Sequence, residues 1–374
     1  RDLELYAAGS IYGKRIYRPS GKYPSVDVKT YDLQYGNASA AVGGKWKLNR
    51  TDLLTLDVSW DRHAYHYNFT DTTLIDGYIN GRYTPYYPYF PGQTDLQSDQ
   101  QRTLAALKGV FRLPFENTLS AGLEWRYDWL KAPMRVIDGK ASDQTAAVFV
   151  QDEFGLLDPL QITAGLRVDR NARFGRFKLT PKIAAISLGD YRLRAVWSRG
   201  FKTPTPKELF YRYIREMAGT HLYLGNTDLR PQTSDYFSLG AEYLGSRGLS
   251  LSVTGYFNRL DQMITLVTIP TSQAPGDLVA RYDPVKVRQY KNLESAKTYG
   301  VDISLRYALR AFTIGAGYSY LNTDANLYDA THDRMKSVII DGTAHHKANA
   351  FVTWAHDFSP AYHFTAGLYG QASS

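Results

Sequence analysis

The feature that most constrains this chain is an alternation of apolar and polar residues with period two, repeated almost from end to end. Leu119, Ala121, Leu123, Trp125, Tyr127 and Trp129 alternate with Thr118, Ser120, Gly122, Glu124, Arg126 and Asp128. The same beat runs through residues 160–169, 249–257 and 301–307. A strand places successive side chains on opposite faces, so each segment has one apolar and one polar wall.

Alternation alone fits a sandwich, a propeller or a barrel. Two further features favour the barrel. The periodic segments run to roughly 10–16 residues, beyond the usual ~5–6 of globular sheets and long enough for a tilted membrane-crossing strand. The connections alternate short and long. Short ones surround Pro114, Asp158, Asp190, Gly245, Arg310 and Ser359, and long ones cover about 69–98, 131–142, 202–230, 266–290 and 324–341. Short turns on one side and long loops on the other mark an outer-membrane barrel. Trp60, Trp129, Trp197 and Trp354 near strand ends suit its interfacial girdles.

Composition agrees. Mean hydropathy is −0.38, and no run approaches the ~18 apolar residues of a membrane-spanning helix. A barrel escapes that test, because its lumen-facing residues are polar. The chain has no Cys, which removes disulfide scaffolds and thiolate chemistry. Net charge is +8, but the charges are dispersed without a basic block, so nucleic acid is not an expected partner.

The expected fold is therefore all-β: a transmembrane antiparallel up-and-down β-barrel with about 15 strands. It forms one domain over residues 1–374. An odd count does not close an even-stranded bacterial barrel. The chain opens on RDLELYAAGS and closes on GLYGQASS within a strand-like run. It is accordingly expected to be a piece of a larger barrel, cut at both ends.

WSRGFKTPTPKELF, followed by GNTDLRPQTSDYFSLGAEY, resembles the barrel signature of TonB-dependent outer-membrane receptors. The segments LSVTGYFNRLDQMITLV and YKNLESAKTYGVDISLRY look like its continuation. The likeness covers the whole chain as architecture and is most specific over 195–307. It implies a 22-stranded barrel around an N-terminal plug, of which this chain would supply roughly strands 5 to 19 without the plug. It also implies coupling to the TonB complex through a region absent here, residence in a Gram-negative outer membrane among lipopolysaccharide, and sometimes a surface lipoprotein partner. No intrinsic cofactor is implied. The transported ligand would be a ferric siderophore, heme or cobalamin.

Heme-uptake members carry a Phe-Arg-Ala-Pro box, a His, and an Asn-Pro-Asn-Leu box. The matching positions here are Phe201, Lys202, Thr203 and Pro204, then His221, then Asn226, Thr227, Asp228 and Leu229. Thr227 replaces a box proline, and Lys202 and Thr203 also depart. Pro204, Pro206 and Pro231 fix φ and block ladder pairing, which makes them strand-end devices in their own right.

The candidate ligand contacts lie between and beside these boxes. His221 can serve as a heme-iron ligand or as an ordinary loop histidine. Tyr211, Arg212, Arg215 and Tyr223 supply rings and cations, and Arg199, Lys202 and Arg230 add charge that Glu208 and Glu216 can neutralise. YTPYYPYFPG contributes Tyr86, Tyr87, Tyr89 and Phe90, rigid rings that suit a flat chelate or pack on one another. His63 and His66 are expected on opposite walls, as are His345 and His346. No catalytic motif is present; Asp61 with His63 is the one local pair for a barrel enzyme. The expected function is active import of a scarce large nutrient, an iron chelate foremost. Cobalamin uptake and a passive porin or adhesin barrel are the alternatives.

Overall fold

The computed structural model describes residues 2–17, 22–23, 26–27, 31–175, 177–216, 218–245, 248–292, 295–329, 334–338 and 344–374. Fifteen long strands follow one another as neighbours in a single antiparallel sheet. They are Leu3–Ile16, Tyr31–Lys47, Leu53–Phe69, Thr94–Arg112, Thr118–Lys131, Lys140–Leu157, Leu160–Asn171 and Phe177–Ser187, then Tyr191–Lys202, Gln232–Leu244, Leu249–Asp261, Ser295–Leu309, Phe312–Asp329, His346–Ser359 and Tyr362–Ser373. The up-and-down order and the strand number match the sequence expectation.

Burial along these strands is inverted relative to a water-soluble sheet. In Lys140–Leu157, Asp143, Thr145 and Ala147 are buried while Val148 and Val150 are exposed. Asp169 and Asn171 are likewise buried on the wall, whereas Leu5, Ile11, Leu239 and Leu368 are bare. Polar side chains facing a crowded interior and apolar ones facing outward are what a lipid-embedded wall requires.

One end of the sheet carries tight turns. In the turn after Tyr31–Lys47, Asn49 Oδ1 accepts the backbone N–H groups of Thr51 and Asp52, both at 2.8 Å. Asp52 in turn accepts the Arg112 N–H at 2.9 Å, which locks two adjacent turns together and holds its carboxyl below the usual range.

The opposite end carries folded loops. A hairpin pairs Thr73–Ile79 with Arg82–Tyr89 around Asn80 and Gly81, both at positive φ. A mixed sheet joins Arg212–Glu216, Thr220–Leu224, Lys286–Asn292 and Ile264–Ile269 in that order, its middle pair parallel. Helix Gly276–Tyr282 packs on it, and Leu222, Leu224, Val267, Ile269, Leu278 and Val287 form a closed core. Sequence reading left these segments as irregular loops. Their strands are only 5–7 residues long, so the period-two signal is too short to separate from loop composition. Burying a core side chain is worth ~1.5–3 kcal/mol, so this core orders the loops well away from the lipid-facing wall.

Candidate binding site in the loop cap

The first sequence box is a helix start. Pro206 opens the helix Pro206–Phe210, where its missing N–H costs nothing. Thr205 Oγ1 accepts from Glu208 N at 3.2 Å, and the Glu208 carboxylate accepts from Thr205 N at 2.7 Å, closing a capping box. Lys202 Nζ donates to the same carboxylate at 2.7 Å. Pro204 beneath it is fully buried, and Phe201 is half-buried at the end of its strand opposite Thr233.

The second box docks on the first. Gly225 N donates to Tyr211 O at 2.6 Å and Asn226 N to Glu208 O at 3.0 Å. A Cβ on Gly225 would lie 2.5 Å from Leu209 O and from Tyr211 N, so only glycine permits this approach. Asn226 Oδ1 accepts from Asp228 N at 2.9 Å, closing a turn, and Leu229 is buried with Leu209 and Ile264.

Neighbouring loops join this core through their backbones. Ile137 N donates to Phe210 O, Arg212 N to Arg135 O and Asn80 N to Pro133 O, all within 3.0 Å. The Asn292 side chain accepts from Arg230 N and donates to Arg230 O and Gln262 O. Loops from four connections therefore interlock as one cap.

Beneath the cap lies a cavity of about 980 Å³ on the polar wall, roofed by residues 200–207. Its walls bear Arg102, Arg126, Arg167, Asp128, Glu124 and Asp169. These charges are mutually engaged: Arg167 binds Glu124 at 2.8 Å and Asp169 at 2.9 Å, and Arg102 and Arg126 share Asp128. Lys207 is different. Burial and the nearby Arg135 depress its pKa, Glu208 offsets this only in part, and its ammonium sits 5.0 Å from the Tyr211 ring centre.

Above the cavity is a ring of tyrosines around Arg135. Its guanidinium lies 4.3 Å from the Tyr213 ring centre, 5.6 Å from Tyr65 and 6.0 Å from Tyr67. Its Nη2 donates to Tyr67 Oη at 2.9 Å and Gln97 Oε1 at 3.1 Å. Among the described residues it pairs with no carboxylate. Burial raises the Tyr211 phenol, with Arg135 opposing, and burial also raises Tyr290.

The structure brings some of the candidates together and separates others. Tyr223 lies opposite Tyr213, and His221 opposite Arg215. Both alternate with buried Leu222 and Leu224, so Tyr213, Arg215, His221 and Tyr223 share the face away from the loop core. Arg288 and Lys286 flank Tyr223 and His221 on the next strand, Arg288 at 5.8 Å from the Tyr223 ring. Tyr211 joins this group through Tyr213, 6.0 Å between ring centres. Arg212 does not; it lies over Tyr78 of the hairpin at 4.6 Å. Arg199 pairs with Asp235 and Lys202 with Glu208, while Arg230 is exposed, so the cations of this stretch are dispersed rather than clustered. The Glu216 side chain lies outside the described residues.

Tyr89 is buried and stacks on Phe69 at 4.3 Å, whereas Tyr87 and Phe90 are exposed. The Tyr86 side chain lies outside the described residues. His63 Nδ1 lies 2.6 Å from Asn37 Oδ1, so its partner is an amide, not Asp61. His345 donates to Leu321 O and His346 contacts Tyr318 Oη. Sequence reading missed Arg135, Tyr65, Tyr67, Tyr213 and Arg288. Tyr65 and Tyr67 belong to the run YHYNF, whose clustered rings were the available signal.

The sequence matches the family described as TonB dependent receptor-like, beta-barrel, over residues 4–374. The chain belongs to that family. It is 26% identical over 226 residues to an iron-regulated outer membrane virulence protein of Vibrio cholerae serotype O1, covering 56% of this chain and 32% of the relative. It is 24% identical over 226 residues to a vitamin B12 transporter, BtuB, of Photobacterium profundum, covering 59% and 33%. A crystal structure of a ferric enterobactin receptor mutant (PfeA) from Pseudomonas aeruginosa superposes with TM-score 0.70 at 17% identity, over 100% of this chain and 55% of that one. The aligned region thus spans about a third of the length of these curated relatives.

Proposed function

We propose that this barrel serves an outer-membrane importer of an anionic iron chelate of the siderophore class, powered through TonB. The observation that carries the reading is Arg135: a half-buried guanidinium that faces Tyr65, Tyr67 and Tyr213 and pairs with no carboxylate among the described residues. A partly desolvated guanidinium with no carboxylate in direct ion-pair contact, Asp95 reaching it only across Gln97, favours an anionic guest. The rings around it offer rigid contact area to an aromatic chelate at low entropic cost. Arg288, Arg215 and Lys286 extend the same positive, aromatic face. Of the three similar proteins, one is iron-regulated, one is a ferric enterobactin receptor and one is a vitamin B12 transporter. The chemistry is capture and transport, without catalysis.

The test uses the full-length receptor, titrated by tryptophan quenching with a ferric catecholate, a ferric hydroxamate, hemin and cyanocobalamin. The expected result is tight binding of a ferric siderophore that weakens about ten- to a hundredfold in Arg135→Gln, the value of a charge-assisted hydrogen bond. Binding of cyanocobalamin alone, or siderophore binding indifferent to Arg135→Gln, overturns the proposal. Hemin binding lost in His221→Ala would assign His221 as the iron ligand instead.

A further inference from the structure

The chelate face owes part of its make-up to one extra residue in the wall. Between the strands Leu53–Phe69 and Thr94–Arg112, Tyr65 pairs with Ser98 but His66 pairs with Leu96. Gln97 is therefore left without a cross-strand partner on Leu53–Phe69 and forms a β-bulge. The bulge reverses the alternation beyond it. On its turn side, odd-numbered residues such as Ala105 and Leu107 point outward, opposite Val58 and Leu56. On its loop side, Asp95 lies opposite Tyr67 and shares the inward face of the tyrosines. In an unbulged strand Asp95 would point away from them.

Gln97 is itself fully buried. Its Oε1 accepts from Arg135 Nη2 at 3.1 Å and Nε at 3.3 Å, and its Nε2 donates to Asp95 Oδ2 at 2.5 Å. One amide thus bridges a cation and a carboxylate and keeps them from direct contact. Asp95 is half-buried and stands about six residues beyond Gln101, the partner of Trp129. That is ~20 Å along the strand, clear of the lipid-facing belt. Tyr89 of the hairpin hydrogen-bonds the carboxylate, and His66 of the adjacent strand and Arg135 of the 132–139 loop are the charges that act on it. Burial raises its pKa above the usual carboxylate value, with Tyr89, His66, Gln97 and Arg135 opposing. Around Arg135 the other titratable groups are Lys207 and the phenols of Tyr65, Tyr67, Tyr211 and Tyr213.

We propose that Asp95 determines the charge preference of this site: held one amide away from Arg135, its carboxylate cancels part of the guanidinium's field and limits the negative charge the site accepts in a chelate. The inference rests on the reading of Arg135 as the anion contact. A direct Asp95–Arg135 pair would spend the cation on the protein itself. With no carboxylate nearby, the cation would favour every anion and discriminate little. The interposed amide sets a field between these limits, and hydrogen bonds that polarise one another carry the carboxylate's charge toward the guest. The same arrangement ties binding to protons. An anionic guest favours the protonated carboxyl, so its presence raises the pKa of Asp95 further. Affinity is therefore highest below the carboxyl's pKa in the free receptor and falls as pH climbs from there to the higher pKa of the complex.

Fluorescence titration of the full-length receptor between about pH 5 and 8 tests this, with a fully anionic ferric tris-catecholate and the same chelate bearing an appended ammonium group. Asp95→Asn keeps an acceptor for Gln97 and removes the charge. At pH 8 it should bind the anionic chelate about three- to tenfold tighter than the parent, with a smaller gain for the ammonium analogue. The ratio of variant to parent affinity cancels the chelate's own protonation, and it should shrink toward one as pH falls. His66→Gln, which removes the nearby imidazole, should leave that trend in place, and Asp95→Glu should keep the parent's slope. Gln97→Ala removes the spacer and lets Arg135 close on Asp95, so the anionic chelate should bind about tenfold weaker; adding Asp95→Asn should recover a large part of the loss. Asp95→Asn indistinguishable from the parent at every pH, or weaker for both chelates throughout, overturns this inference alone. Chelate binding that is absent, or indifferent to Arg135→Gln, removes the anion contact and this inference with it.

Discussion

Gly225→Ala is the sharpest perturbation of the loop cap. The added Cβ would stand 2.5 Å from both Leu209 O and Tyr211 N, and these are backbone atoms of the capped helix and its exit. They cannot rotate aside as a side chain can, so the segment must retreat by about 1 Å to restore van der Waals separation. That retreat stretches the Gly225–Tyr211 and Asn226–Glu208 bonds, now 2.6 Å and 3.0 Å, toward or past the limit of useful hydrogen-bond geometry. Two backbone bonds at ~1 kcal/mol each, plus an overpacking strain of ~1–3 kcal/mol, give about 3–5 kcal/mol. The loss is local, because the two boxes are held by each other and by Leu209, Leu229 and Ile264 rather than by the wall. Hydrogen exchange of the full-length receptor should show peptides from 203–231 exchanging about a hundred- to several-thousandfold faster, with the long strands unchanged. Gly276→Ala is the control: a Cβ there meets nothing within 4 Å, so exchange should stay as it is. Unaltered protection of 203–231 in Gly225→Ala would refute the docking of the boxes. Acceleration spread evenly over wall and cap would refute its independence from the barrel.

Three further outcomes follow from the same geometry. Asn292→Ala removes the side chain that bridges Arg230 and Gln262, so the two largest loops should lose about 2–3 kcal/mol of mutual stabilisation, read as faster exchange in both 226–231 and 262–269. Leu222→Ala opens the centre of the loop core and should cost ~2–5 kcal/mol there, seen as protease nicking within 212–224 while the barrel stays intact. Burial raises the phenols of Tyr211 and Tyr290 above the ordinary 10.0, so the folded cap holds protons that the unfolded cap releases. Their contribution is complete below about pH 10 and is lost as pH climbs through the raised values. Exchange in the cap should quicken in that alkaline window, and Tyr211→Phe should flatten the dependence.

How much was legible depended on length of pattern. The strand Thr118–Lys131 alternates from Thr118 through Trp129, long enough for the period to stand out and for the inverted burial to be inferred from the loop asymmetry. The loop sheet was not legible, because Thr220–Leu224 offers only five residues. Its partners, Arg212–Glu216 on one side and Lys286–Asn292 on the other, include one that is over sixty residues away and runs parallel. No local signal encodes such pairing. The capping box Thr205–Pro206–Lys207–Glu208 was present in the letters, yet proline-rich surroundings read as a corner. Tyr223 and His221, both candidates from the sequence, share a strand face, whereas Arg212 was grouped with Arg215 although strand alternation puts them on opposite faces, three residues apart.

The two boxes also show why a motif can name a family without naming its cargo. Lys202 and Thr205 engage Glu208, Gly225 and Asn226 engage the helix backbone, Asn226 closes its own turn, and Leu229 fills a small core. Each of these groups has its physical reason inside the chain. A receptor for any ligand needs the strand to end there and the next to begin, so the same letters serve every cargo. The groups left with unspent interactions lie elsewhere: Arg135 and Tyr213 above the cavity, Arg215 and Arg288 beside His221. They come from three connections that meet only after folding, and they can change without disturbing the boxes. Ligand identity should therefore track substitutions at these positions and stay insensitive to conservative changes within 201–206 that preserve the cap. A swap of residues 132–139 between two receptors of this family, transferring preference for a chelate without altering 201–229, is the direct check. Transfer by exchange of the boxes instead would show that they read the cargo after all.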